Sequence, residues 1–392
     1  MHIATIGAWI LATGLVSAKT CYNATVPVPV SARNGVFDNL STPKNNMEAT
    51  MFSIAATRQG GNFTEDALTG YATVSGHYNI SAQYCMPNSS ASSNSSQPVL
   101  QILTHGIGFD KTYWDLPYNN FNYSYVDYAL SRGYHTLSYD RLGLGNSSHG
   151  DPKSEIQAFL EVEVLAQITR SLRNASLSGI RTRPSKIVHV GHSFGSYLTF
   201  ALSATYPDLS DGLVLTGFST NSSFTPQFVA GSNFQQARLD PSIRSRPGLN
   251  YSLGYLVTSN MGNVEYTLFD PPHYDPKILA FAEKIKQPVT VGELLTIAGL
   301  PQESKFSGPV LVMAGSNDMA SCGGNCTATG GASESIPAAA KEAFPDAKTF
   351  SAYIQPNTGH GLNMHYNATG GYKQIADFLG NQGLSKNMKR LR

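Results

Sequence analysis

The sequence predicts an α/β protein built on a mostly parallel twisted sheet flanked by helices, with a mainly helical cap inserted after the sixth strand. Three observations predict it. Short apolar runs alternate with helical segments from residue 98 to about 218 and again from about 306. Alternation of this kind requires right-handed crossovers and hence parallel strands. The alternation breaks over 219–305, a stretch long enough for a small subdomain. At 41 % hydrophobic residues the 392-residue chain can build a large core.

The elements follow in chain order. Residues 3–16 (IATIGAWILATGLV) form an apolar run that ends at Val16-Ser17-Ala18. That is the length of a signal-peptide core with a small-residue cleavage site, so 1–18 is expected to be removed on export. The run is too short to span a membrane, and no later stretch is long enough, so no membrane anchor is expected. Residues 19–97 form an N-terminal extension with leading strands: 19–45, rich in Pro, Asn and Ser, is expected to be irregular. Two β-type segments follow, 47–57 and 67–86, separated by a Gly-Gly-Asn turn. Residues 87–97 (PNSSASSNSSQ) are low-complexity and expected to be an exposed loop.

The first part of the core, 98–218, is predicted to run strand 98–106, helix near 121–132, strand 134–140, helix near 154–174, strand 186–193, helix near 194–206, strand 212–217. The cap, 219–305, is rich in Tyr and Phe, with helices expected at 276–286 and 290–298. An insertion between strands of such a sheet sits over their carboxyl edge, where ligands bind. The second part of the core, 306–392, is predicted as strand 308–315, helix near 333–344, strand 349–354, helix near 370–380, and a short basic tail at Lys386–Arg392.

Only 14 % of residues are charged and the formal net charge is +1. The overall field will therefore not steer the chain to nucleic acid or to an anionic membrane. Asn-x-Ser/Thr sites begin at Asn23, Asn39, Asn62, Asn79, Asn88, Asn94, Asn122, Asn146, Asn174, Asn221, Asn250, Asn325 and Asn367. So many sites in a chain of low charge point to N-glycans as a source of solubility, with some sites expected to be buried and unused. Four cysteines fit an oxidising compartment. Cys322 and Cys326 are close enough to close a small loop, which leaves Cys21 and Cys85 to tie the N-terminus to an early strand. Four cysteines allow three pairings, so connectivity stays open. A zinc site on Cys322 and Cys326 lacks a second ligand pair nearby.

The sharpest signal is Gly191-His192-Ser193-Phe194-Gly195, a G-x-S-x-G that follows an apolar strand and opens a helix. A serine forced onto such a corner exposes its hydroxyl at a helix N-terminus, and the glycines two residues either side make room for it. Serine is a weak nucleophile, so it needs a base, and the base needs an orienting carboxylate. Asp318, just past the strand PVLVMAG, and His360, just past the next strand in QPNTGHGLNMH, supply them in the order Ser, acid, His. His365 competes as the base, but the Gly359-His360-Gly361 loop favours His360. Asp346 competes as the acid from a solvated turn. An oxyanion needs two N–H donors: Phe194 is one, and Ile107 in His105-Gly106-Ile107-Gly108 is the other, with Gly108 as runner-up. His105 itself reads as structural.

With these motifs placed, the chain resembles α/β-hydrolase-fold proteins over most of 98–380, as a secreted, fungal-looking serine esterase or lipase with a cap. The HGxG-type turn at 105–108, the Tyr139-Asp140-Arg141-Leu142-Gly143 turn, the GHSFG elbow and the late Asp318 and His360 carry the resemblance. YDRLGLGNSS resembles the D-x-R-G-x-G-x-S segment of lid-bearing members, with Leu142 where that pattern often has Gly. Asp140 and Arg141 are structural in such members. A serine elbow excludes the aspartyl-ester route of epoxide hydrolases and dehalogenases. What remains is cleavage of an ester, lactone, thioester or amide, or acyl transfer. The expectation is a secreted ester or lactone hydrolase. The alternatives are a tailoring hydrolase or acyltransferase of secondary metabolism and a non-catalytic binding protein on the same scaffold. No phosphate cradle, dinucleotide fingerprint or metal cluster appears, so no cofactor is expected. The expected partner is a small apolar or aromatic ester or lactone. Phe224, Phe228, Phe234, Tyr251, Tyr255, Tyr266 and Phe269 are candidates to line its pocket, although most are expected simply to hold the cap together.

Overall fold

The computed structural model describes residues 19–88, 97–177, 180 and 183–385. The expected signal peptide (1–18), most of the low-complexity loop (89–96) and the basic tail (386–392) lie outside the described residues.

Eleven strands occur among the described residues: β1 (Lys19–Val36), β2 (Gly70–Pro87), β3 (Val99–Thr104), β4 (His135–Tyr139), β5 (Lys186–His192), β6 (Gly212–Thr216), β7 (Gln235–Gln236), β8 (Tyr255–Val257), β9 (Val289–Thr290), β10 (Pro309–Gly315) and β11 (Thr349–Gln355). Eight of them form one sheet in the order β1-β2-β4-β3-β5-β6-β10-β11. Every pairing from β4 to β11 is parallel, and β2 runs antiparallel to both β1 and β4. The central strands are buried on both faces because helices cover each side. Leu160, Val164 and Ile168 of the helix Ala158–Arg173 share a core with Ile102, Leu137 and Ile187. Tyr372 and Phe378 of the helix Ala368–Asn381 share another with Leu103, Val188 and Val190. The fold class is as the sequence predicts.

Two N-terminal expectations are overturned. Residues 19–36, expected to be irregular, form β1, paired residue for residue with β2 from Lys19 opposite Pro87 to Val36 opposite Gly70. Pro27 and Pro29, which argue against a strand, are exposed alternate residues on the edge strand, while Val26 and Val28 between them are buried. Alternate residues of an edge strand direct their N–H outward, so proline sacrifices no ladder bond there. The expected β-type segment 47–57 is instead the helix Asn46–Thr57. The Asn45 side chain accepts from the Glu48 N–H, and the Glu48 carboxylate accepts from the Lys44 N–H, an N-terminal cap that outweighs the β-forming Thr50, Ile54 and Thr57. A smaller difference lies at 333–344, where the single expected helix is the short helix Ile336–Ala339 followed by a 3-10 turn.

Cys21 bonds Cys85, directly opposite it in the β1–β2 register, and Cys322 bonds Cys326. The first closes a long loop at the end of an edge strand. The C21S/C85S double variant is expected to lose about 2–4 kcal/mol of unfolding free energy. A loss under about 1 kcal/mol by urea titration would mean that the ladder alone holds β1.

Between β6 and β10 the chain forms helices at Thr225–Ser232, Met261–Leu268, Pro276–Ile285 and Val291–Thr296, together with a small antiparallel sheet, β7-β8-β9, absent from the sequence reading. Backbone bonds fasten this cap to the carboxyl edge of the large sheet. Gln287 N–H donates to Gly108 C=O (3.0 Å), Gly292 N–H to Pro152 C=O (2.7 Å), and Gly361 N–H to Leu268 C=O (2.7 Å). Among the described residues no helix is long and apolar enough to cross a membrane.

Candidate active site

Ser193 sits at the turn from β5 into the helix Phe194–Thr205 with φ 54° and ψ −122°, a left-handed backbone rare for a side chain other than glycine. The local sequence enforces this. Ser193 N–H donates to Thr216 C=O on the neighbouring strand (2.8 Å), which pins the corner. A Cβ on Gly195 would stand 2.2 Å from Thr104 C=O, and one on Gly191 would stand 2.5 Å from Ser196 Cα. The tight crossing therefore excludes any side chain at either position. Strain of this kind is held only where the surroundings over-determine it, as functional turns do.

Asp318 and His360 follow β10 and β11 and reach the same edge of the sheet. His360 Nε2 lies 2.7 Å from Ser193 Oγ and His360 Nδ1 lies 2.8 Å from Asp318 Oδ1. Asp318 is fully buried and His360 nearly so, while Ser193 is half-buried. Asp318 caps the short helix Met319–Cys322, its Oδ1 also accepting the Ser321 N–H (2.8 Å). The Cys322–Cys326 bridge closes the same loop, and Gly324 N–H donates to Asp318 C=O (3.0 Å). The three side chains named from sequence thus meet in one chain of hydrogen bonds.

The 105–108 turn lies beside them. A Cβ on Gly106 would touch Ser193 Cβ at 2.7 Å. His105 is buried and spans the turn, with Nδ1 against Gly106 C=O (2.9 Å) and Nε2 accepting the Arg141 N–H (3.0 Å). Burial, reinforced by Arg141, holds its ring well below the ordinary histidine range, so it stays neutral. The backbone N–H groups of Ile107 and Phe194 meet no backbone acceptor among the described residues. Gly108, the runner-up donor, has φ 84° and gives its C=O to Gln287.

Other sequence candidates separate cleanly. Asp346 is exposed, and the hydrogen bond of His360 Nδ1 goes to Asp318 instead. His365 makes no bond to Ser193 or Asp318; its ring bonds the backbone around His360 instead. Burial drops the His365 imidazole to about 4. A depressed histidine contributes stability that is whole above its unfolded value, about 6.5, and is lost as pH falls through about 4. Asp140 organises its turn, accepting from the Lys111 backbone and ammonium and from Asn146 N–H. Among the cap aromatics, Phe228 comes within 6.2 Å of the His360 ring, centroid to centroid, and Phe224 packs at Gly323 of the Asp318 loop. Phe234 is buried behind Phe228, Tyr251 stacks on His149 with Tyr255 tilted against both, Phe269 packs against His365, and Tyr266 is exposed.

Two supporting groups escaped the sequence reading. Tyr113 stacks flat on His192 (4.4 Å, 15°), and His192 lies 5.1 Å from the His360 ring. Burial, then the neighbouring His360, pushes His192 well below its ordinary range, so its ring stays neutral. No local sequence signal marks Tyr113, because 79 residues and a strand separate it from His192. Two depressions on the cap, of about 630 and 480 Å³, are lined by Arg238, Arg244 and Tyr251, and by Gln227, Asn263 and Tyr266, with none of Ser193, Asp318 and His360 in either wall. No group of three or more metal-binding side chains occurs among the described residues.

No curated protein sequence matches the chain. Among solved structures it is similar to a thermophilic esterase from Thermogutta terrifontis (16 % identity, 77 % of this chain and 94 % of that one, TM-score 0.49). It is also similar to Rv0554 from Mycobacterium tuberculosis (14 %, 80 % and 96 %, TM-score 0.49) and to the enol-lactonase from Burkholderia xenovorans LB400 (16 %, 77 % and 97 %, TM-score 0.47). A family model described as the alpha/beta hydrolase family matches residues 101–369, well over half the chain. On that match, and with a sheet of this order carrying it, the chain belongs to the alpha/beta hydrolase family.

Proposed function

We propose that the chain is a secreted serine hydrolase that cleaves a carboxylic ester or a lactone through an acyl-enzyme on Ser193. The observation that carries this reading is the hydrogen-bonded chain Ser193–His360–Asp318 at the carboxyl edge of the sheet. In it, His360 takes the proton of Ser193 Oγ as the oxygen attacks the substrate carbonyl. The N–H groups of Phe194 and Ile107 receive the oxyanion. His360 then protonates the leaving oxygen, and a water activated by His360 releases the acid. Asp318 fixes the tautomer with the proton on Nδ1 and balances the imidazolium. Phe228 beside His360 favours a small apolar or aromatic substrate.

Export is supported by the two disulfides and by the Asn-x-Ser/Thr sites. Twelve of the thirteen Asn residues fall among the described residues; eleven are exposed and Asn367 is half-buried, so the expected buried sites are not found there.

The test is a fluorophosphonate probe followed by peptide mapping, with p-nitrophenyl esters of graded length beside a lactone panel. Labelling confined to Ser193 and turnover of short or aromatic esters are expected. A wild-type protein that neither labels nor hydrolyses either class overturns the reading and leaves a binding protein on this scaffold. Ester product formed on an added alcohol, at the expense of free acid, would favour acyl transfer.

A further inference from the structure

His365 is completely buried, yet it takes no part in the steps above. Its ring makes three hydrogen bonds, all to backbone. Nε2 accepts from Gly359 N–H (3.1 Å) and from Asp270 N–H (3.0 Å), and Nδ1 donates to Gly361 C=O (3.0 Å). Gly359 and Gly361 are the two neighbours of His360. Asp270 lies just beyond the cap helix Met261–Leu268. The same ring therefore holds the peptide on both sides of His360 and joins it to the end of a cap helix.

Two further contacts close the joint. Gly361 N–H donates to Leu268 C=O, the last carbonyl of that helix (2.7 Å). A Cβ on Gly359 would fall 2.6 Å from the Phe269 carbonyl carbon and 3.0 Å from Asp270 N, so the loop and the cap backbone are in direct contact. The rings of Phe269 and Tyr274 pack around His365 at 5.6 and 6.1 Å.

We propose that His365 is a positioning residue for His360, clamping the loop of the base to the cap segment Leu268–Asp270, so that this part of the cap is a fixed wall of the site rather than a moving flap. The inference rests on the hydrolase reading for its kinetic consequence but not for its geometry. His360 must hold two hydrogen bonds at once, to Ser193 and to Asp318. A loop free to drift by about 1 Å costs such a site on the order of 10²-fold in rate. Only a neutral imidazole can accept at one nitrogen and donate at the other. The titratable groups around the ring are Tyr274, which packs on it, Asp270, whose carboxylate bonds His273 (2.9 Å), His273 itself and Asp318. Burial keeps the ring neutral through the pH range in which His360 would work.

H365M keeps much of the volume and removes all three bonds. H365Q restores an oxygen acceptor and an N–H donor. On the ester that the wild type turns over best, H365M is expected to lower kcat about 10²-fold with KM within about threefold. Its fluorophosphonate labelling should slow by a similar factor. H365Q is expected to recover most of the kcat. An activity-independent readout is the downfield proton resonance of His360 Nδ1–H against Asp318, assigned by its loss in H360A; it should broaden or vanish in H365M and return in H365Q. H365A serves in place of H365M if that variant does not accumulate.

Wild-type kcat and labelling in H365M overturn the proposal even if its melting temperature falls, as does H365Q behaving no better than H365M at equal stability. If the wild type is not labelled at Ser193, the hydrolase reading fails. The resonance then decides the clamp by itself, sinking it if the signal is the same in all variants.

Discussion

Ser193→Ala is expected to lower turnover at least ~10³-fold while the fold is retained. The hydroxyl is the atom that would form the new bond, and its hydrogen bond is to His360 Nε2, so its loss removes the covalent route and leaves that one nitrogen without its partner. Alanine meets the same left-handed strain at φ 54° as serine, so the corner is neither relieved nor worsened. The residual rate would come from the Phe194 and Ile107 N–H donors and from substrate binding. The check is kcat on the best ester together with the urea midpoint. A midpoint close to wild type is expected alongside the lost turnover, and unchanged turnover would mean that Ser193 is not the nucleophile.

Arg141→Ala is expected to have the largest effect on stability, a loss of about 3–5 kcal/mol. Arg141 is fully buried. Its Nη1 donates to Glu161 (2.7 Å) and to Glu293, and its guanidinium lies 4.5 Å from the centre of the Phe194 ring. Burial would lower the guanidinium, but the two carboxylates outweigh it and hold it above its ordinary value. Two carboxylates share one cation, and Glu161 is accordingly raised well above the ordinary range, by burial first and then by Glu293 against the pull of Arg141. A raised carboxyl contributes stability that is present at low pH and is lost as pH rises through its folded value. Removing Arg141 leaves both carboxylates buried without a cation, one on the core helix Ala158–Arg173 and one in the capping box of the cap helix Val291–Thr296. Urea titration measures the loss, and adding E161Q and E293Q to the alanine variant should recover part of it. A loss below about 1 kcal/mol would mean that water or local rearrangement compensates the pair. The same variant is expected to disturb the site, since Arg141 supports the ring of Phe194.

The parts of this architecture that could be read from sequence are those with a local cause. An apolar run such as IVHV is buried on both faces, so β3, β5, β6 and β10 announce themselves. Gly191 and Gly195 are demanded by an approach so close that no side chain fits, and that demand is visible as a motif. Ser193, Asp318 and His360 could be named because each follows one strand of a predictable series. The N-terminal region was less legible. Pro27 and Pro29 deny a strand by composition but permit one at an edge, and only the pairing of β1 with β2 makes residues 19–36 an edge. Residues 47–57 carry β-forming side chains, and the capping of Asn45 and Glu48 together with the burial of Ala49 and Phe52 decides for a helix.

The sequence by itself determined the alternation of strands and helices, the strained serine corner and the order in which Ser193, Asp318 and His360 follow their strands. These depend on hydrophobic period and on steric exclusion within a few residues. Only the tertiary structure decided which imidazole reaches Ser193 and which one clamps the loop. It also decided that Tyr113 backs His192 and that Glu161 and Glu293 share Arg141. Those outcomes depend on distances between segments far apart in the chain, and a hydrogen bond or a buried charge pair is made or lost within an ångström that no local pattern records.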